Sequence, residues 1–230
     1  MRRVAAITAV LALLALGACG SEDSKRKAGE FSTTIDNPYL PFAVGSKWVY
    51  REVEDGEVKR DEVTVLPKTK LIANGVRARV VHDQVTVHGR VEENTYDWYA
   101  QDRDGNVWYL GEDTTEFPKG KKPTTAGSFE AGVKGAKAGI VMPAHPKPGM
   151  AYRQEYLKGE AEDRGKVLAL DARTKVPYGS YDHLLQTEDS TPLERNATEH
   201  KYYARGIGSI LELAVAGNAR AELVSYSRSR

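Results

Sequence analysis

The groups in this sequence that could carry chemistry are five histidines, a pool of carboxylates and one thiol. Imidazoles and carboxylates at ligand spacing would hold a metal ion, and a carboxylate beside an imidazole would move protons. His82, His88, His145, His183 and His200 are dispersed and show no such spacing. His82 and His88 sit near a hairpin turn, where surface or strand-packing roles account for them. His183 and His200, with Asp182 and Glu199 beside them, make a weak zinc candidate if two strands bring them together. Asp102-Arg103-Asp104-Gly105-Asn106 begins like a calcium loop whose closing acid would fall at Asp113. The intervening Val107-Trp108-Tyr109-Leu110 reads as a strand, and no flanking helices are evident, so a hairpin turn is the better account. A weaker cation site on Asp102, Asp104, Glu112 and Asp113 stays open. No G-x-S-x-G, H-E-x-x-H or phosphate-binding glycine loop occurs. The sequence therefore names no catalytic residue and no cofactor, and a metal-dependent hydrolase ranks last among the readings.

The thiol has a clearer chemistry. Cys19 is the sole cysteine, and it stands behind residues 4–18, which carry no charge, and ahead of the polar GSEDSK. Arg2 and Arg3 give the segment a positive start. The apolar run is shorter than the roughly 20 residues a spanning helix needs, and it fits the core of an export signal. Leu16-Gly17-Ala18-Cys19 resembles the bacterial lipobox. That motif predicts cleavage between Ala18 and Cys19 and acylation, palmitate included, of the cysteine sulfur. An ordinary secretory signal or an uncut anchor is the alternative, but a free thiol is a liability in an oxidising compartment. The expected address is the cell envelope, outside the cytoplasm, with the bilayer as a partner held through two or more acyl chains.

Removing residues 1–18 takes away Arg2 and Arg3 and no acid, so the net charge passes from +1 to −1. That balance gives no electrostatic case for nucleic acid. Beyond residue 30 helical periodicity is hard to find, whereas turn signals recur: Asp55-Gly56, Asn74-Gly75, His88-Gly89, Asp104-Gly105, Tyr178-Gly179 and Gly217-Asn218. The runs between them are rich in β-branched and aromatic residues. Val76, Ala78 and Val80 alternate, then the phase shifts to Val81, Val85 and Val87, which predicts a β-bulge near Val80.

A repeat lies over this pattern. Gly45-Ser46-Lys47-Trp48 matches Gly149-Met150-Ala151-Tyr152 at an offset of 104, as Trp98-Tyr99-Ala100 matches Tyr202-Tyr203-Ala204. The expected organisation is a signal at 1–18, a lipidated tether at 19–36, a β repeat at 37–117, a crossover at 118–148 and a second β repeat at 149–230. The fold class is all-β and antiparallel, with two half-barrel or sandwich halves packed together. The crossover holds six lysines and one acid, Glu130, and reads as a solvated loop or, alternatively, as a lid or basic rim beside a binding cleft that could face anionic lipid headgroups. Trp48, Trp98, Tyr99, Trp108, Tyr152, Tyr202 and Tyr203 read mostly as core. In an open half-barrel they would instead line a groove for a hydrophobic molecule.

The runs Asn37-Pro38-Tyr39 through Tyr50, Asp97 through Tyr109, Gly139-Ile140-Val141-Met142-Pro143, Val176 through Tyr181 and Lys201 through Gly208 carry a resemblance. They resemble a group of bacterial extracytoplasmic lipoproteins with no assigned function, and the last two runs are similar to small half-barrel periplasmic proteins. The resemblance implies fold class and compartment and supplies no catalytic residue. The functional expectation is a non-catalytic binding module for a hydrophobic ligand or an envelope protein, with a purely structural lipoprotein as the alternative.

Overall fold

The computed structural model describes residues 28–228. The signal and lipidation readings at Ala18 and Cys19 lie outside the described residues. After a 3-10 turn at Ala28–Glu30 every element is a strand. They are β1 (Phe31–Ser32), β2 (Lys47–Glu54), β3 (Glu57–Leu71), β4 (Arg77–Val87), β5 (Arg90–Asp102) and β6 (Val107–Glu116). Then come β7 (Phe129–Glu130), β8 (Lys137–Met142), β9 (Ala151–Arg153), β10 (Glu155–Tyr156) and β11 (Arg164–Val176). The last four are β12 (Gly179–Thr191), β13 (Glu194–Ala204), β14 (Gly208–Ala214) and β15 (Arg220–Ser227).

One antiparallel sheet takes in all of them, in the order β10-β8-β6-β5-β4-β3-β2-β15-β14-β13-β12-β11-β9, with β1 beside β5 and β7 beside β6. The two sequence halves meet edge to edge, because β2 pairs with β15 from Lys47↔Ser227 to Val53↔Arg220. The sheet curls until its ends nearly meet. Residues 151–156 run along both of them: Ala151–Arg153 bond β11, and Glu155–Tyr156 bond β8. Gln154 is the residue between. The product is a nearly closed barrel, in which alternate side chains point inward.

Close approach at this seam depends on Gly139. A Cβ there would stand 2.3 Å from the Arg153 carbonyl oxygen, so any side chain would push the closing segment off β8. The seam also absorbs part of the lysine-rich crossover. Residues 118–148 contribute β7 and β8 to the wall, while their six lysines stay exposed.

Two cores explain the phase shift on β4. Val81 and Val65 point into the barrel with Trp48, Tyr109 and Leu185. Val76, Ala78 and Val80 point outward into a second core with Ile72, Trp98, Ala100, Leu110 and Ala131. The register between β3 and β4 does slip here, but the extra residues are on β3, between Val65 and Thr69. The buried Arg79 guanidinium secures the bulge by donating to the carbonyls of Leu66 (3.3 Å), Pro67 (2.9 Å) and Thr33 (3.2 Å).

Candidate functional site

The lower end of the barrel is stoppered by residues 35–42, whose Ile35, Tyr39, Leu40 and Phe42 are buried in the inner core. Polar bonds hold this plug to both halves. Asn37 Nδ2 donates to the carbonyls of Gly105 (3.0 Å) and Pro143 (3.2 Å), and the Gly206 amide donates to the Pro38 carbonyl (2.7 Å). Above the plug lies a cavity of about 170 Å³. Its floor is apolar, made by Leu40, Phe42, Trp48, Tyr99 and Val141. It runs up to Ala214, Ala219 and Arg220, beside the β14–β15 turn at the opposite end.

The seven aromatic candidates separate by strand parity. Trp48, Tyr99 and Tyr203 line the cavity. The Trp48 ring packs edge-on to Phe42 with centroids 5.7 Å apart, and its Nε1 donates to the Ile207 carbonyl at 2.8 Å. Tyr152 lies near Asp189, and burial pushes its phenol well above the usual range. Tyr202 shares a hydrogen bond with Gln186, whose Nε2 donates to its hydroxyl at 3.0 Å. Trp98 is on the outer face in the second core. Trp108 also falls on that parity, opposite Ala100, and donates from Nε1 to Asp102.

The upper half of the cavity is a wall of acids of which pattern reading singled out only Glu199, and that for a different site. Eight carboxyl side chains line it, namely Glu52, Asp61, Asp83, Glu93, Asp97, Asp189, Glu199 and Glu212, against Lys201 and Arg220. Their positions follow from the pleat. Asp61 shares its side of β3 with Val63 and Val65, and Asp83 shares its side of β4 with Val81 and Val85.

Two local arrangements stabilise several of these acids. The buried Lys201 ammonium stands 3.4 Å from Asp189, 3.6 Å from Glu212 and 3.7 Å from Glu199. Burial alone would lower its pKa, but the three carboxylates outweigh that and hold it well above the ordinary lysine value. Asp189 is completed by Thr187 Oγ1 and Gln154 Nε2, each donating at 3.0 Å. On the facing wall, Tyr109 Oη lies 2.6 Å from Asp97 Oδ1 and 2.7 Å from Glu112 Oε2. A phenol has one proton to give. That one proton is shared between two carboxyls, so the arrangement favours a neutral, protonated form of the acid pair. Burial, and then Glu112, accordingly push the Asp97 carboxyl well above the usual range.

Asp61 and Asp83 stand outside both arrangements. Burial raises the Asp61 pKa well above its ordinary value, and Asp83 beside it, close enough for a hydrogen bond when one is protonated, raises it further. Tyr50, whose hydroxyl donates to the Ser209 carbonyl at 2.9 Å, stands near both.

The weak metal candidates do not converge. Asp102 accepts from the amides of Asp104 (3.0 Å) and Asn106 (2.9 Å), from Asn106 Nδ2 (2.9 Å) and from Trp108 Nε1 (2.8 Å). Four donors fill the acceptor sites of one carboxylate, so this acid staples the β5–β6 turn. Asp104 is exposed on that turn. His200 lies opposite Glu188, whereas His183 is five residues from that position on β12. At about 3.3 Å per strand residue the two positions stand roughly 16 Å apart along the sheet. Among the described residues no three His, Cys, Asp or Glu side chains are grouped to hold a metal ion.

Fold and cavity together define a plugged, single-sheet β-barrel with an apolar floor and an acidic upper wall. No family model matches the sequence, and no curated protein matches it. Among solved structures it is similar to an exported-protein candidate with a YmcC-like fold from Bacteroides fragilis, at 13% identity and a TM-score of 0.46. It is also similar to a lipoprotein candidate from Parabacteroides distasonis, at 9% identity and a TM-score of 0.42. Each overlap takes in 83% of this chain and 99% of the other, so the likenesses are long but loose.

Proposed function

We propose that this chain is an envelope lipoprotein whose barrel is a binding module for a small apolar molecule or group. The observation that carries the reading is the cavity of about 170 Å³ above the plug, floored by Leu40, Phe42, Trp48, Tyr99 and Val141. A void on the scale of 150 Å³ is enough for a benzene-sized guest. The proposed address rests on the Arg2-Arg3 start, the uncharged residues 4–18 and Cys19. The 104-residue offset supports descent from a duplicated half, since its matched segments fall on β2 and β9, and on β5 and β13.

Toluene titrated into methyl-labelled protein tests the binding reading. The methyl resonances of Val63, Val81 and Val85, which line the cavity, should shift saturably, while those of Val76 and Val80 in the second core stay put. Val63→Phe, which fills the space, should abolish the response. Shifts confined to the second core, or none at all, would refute the reading.

A further inference from the structure

We propose that the chamber is selective for a small organic cation, an aliphatic or arylalkyl ammonium whose apolar body sits on the aromatic floor and whose charged head meets Asp61 and Asp83. The inference rests on the binding reading above and names the ligand class for the same cavity.

Two independent features converge on it. The first is the division of the cavity into an apolar floor and a carboxyl-lined upper wall. A guest complementary to both must be amphiphilic, with a positive end. The second is a pair of donor-less oxygens. Asp61 is only 8% exposed, yet its Oδ1 is buried with no hydrogen-bond donor, and Asp83 Oδ1 beside it is in the same condition. Both carboxyls line the cavity. A buried acceptor left without a donor is costly, and more so when charged. Among the described residues these two oxygens meet no donor, and a hydrogen bond between the two acids requires a proton to be held between them.

The remaining charges do not serve this pair. Lys201 is engaged by Asp189, Glu199 and Glu212, and Arg220 donates to Glu222 at 2.6 Å. An ammonium brings up to three N–H donors and a charge of the right sign. It would satisfy both orphan oxygens at once, and hydrogen bonds to charged groups are the strong ones. The Tyr99 and Phe42 rings below, with centroids 5.0 Å apart, offer apolar and π surface to the body of the guest. A metal ion suits the site less well, because it needs several oxygens directed at one point, and no such group of three occurs among the described residues.

Benzylamine, benzyl alcohol and benzoate are matched probes of benzene size with a positive, neutral and negative head. Titrated separately against the same valine methyls at neutral pH, benzylamine should bind at least tenfold more tightly than benzyl alcohol, equivalent to about 1.4 kcal/mol. Benzoate should bind most weakly. The double variant Asp61→Asn with Asp83→Asn should abolish the preference for benzylamine over benzyl alcohol. Should that variant not fold, Asp83→Asn alone should still lower benzylamine affinity selectively. Equal binding of benzylamine and benzyl alcohol would overturn the cation selectivity while leaving the apolar chamber intact. Failure of toluene and all three probes would overturn both. Saturable shifts at Asp61 and Asp83 with calcium alone, coupled to displacement of benzylamine, would overturn the choice of an organic cation.

Discussion

Replacing Lys201 with methionine tests whether the acidic wall is held together as the geometry indicates. The change keeps much of the side-chain length and removes the charge, leaving Asp189, Glu199 and Glu212 facing one another. Removing one partner of a buried ion pair costs about 3–5 kcal/mol, because the other charge is left uncompensated. Here Lys201 is 8% exposed and Asp189 10%, but Glu199 and Glu212 are about a third exposed and partly served by water. The lower end of the range is therefore appropriate, about 3 kcal/mol. For a domain of this size that lowers Tm by about 6–12 °C, at 2–4 °C per kcal/mol. Thermal melts followed by near-UV circular dichroism would measure it. The pH dependence supplies a second signature. Burial already raises the Glu199 pKa, and loss of the cation raises it further. Protons then relieve the repulsion, so the gap between variant and wild type should narrow as pH falls from 7 towards 5. A difference in Tm under about 2 °C at pH 7, or one independent of pH, would refute the reasoning.

Three further outcomes follow from other parts of the barrel. Because the Asp97 pKa is raised on folding, the folded state holds its proton after the unfolded chain has lost it; stability is full below the unfolded value and falls as pH climbs through the folded one. Asp97→Asn should therefore melt above wild type at pH 8 and alongside it at pH 4, in a calorimetric series. Gly139→Ala places a methyl 2.3 Å from the Arg153 carbonyl oxygen and should cost about 1–3 kcal/mol of overpacking, with faster amide exchange confined first to residues 151–156. Cys19→Ser should abolish incorporation of labelled fatty acid and move the protein from the membrane fraction to the soluble one.

Much of the fold was legible because its punctuation is chemical. Asp55-Gly56, His88-Gly89 and Asp104-Gly105 all sit at hairpin turns with positive φ at the glycine, which a tight reversal demands. The seam was not legible. Met150 through Glu155 reads as the lead-in to a second half, and nothing local says that this stretch bonds two strands at once. The acidic wall was missed for a related reason. Asp61, Asp83 and Asp97 look solvent-facing because charge usually marks the wet side of a strand. Parity held the information: Asp61 alternates in step with Val63 and Val65, and Asp83 with Val81 and Val85, so the acids share the side of the buried valines. The outward direction of Trp98 was masked likewise, since a strand with a second core on its back has no dry side to reveal.

The stopper at residues 35–42 gives the molecule a polarity in space. The described residues begin beside it, because Phe31–Ser32 pair with Asp102 and Gln101 at that same end. A protein moored there through Cys19 would present its closed base to the bilayer and its acid-rimmed mouth to the surrounding fluid. Cargo would be sampled from solution rather than drawn up out of the lipid leaflet underneath.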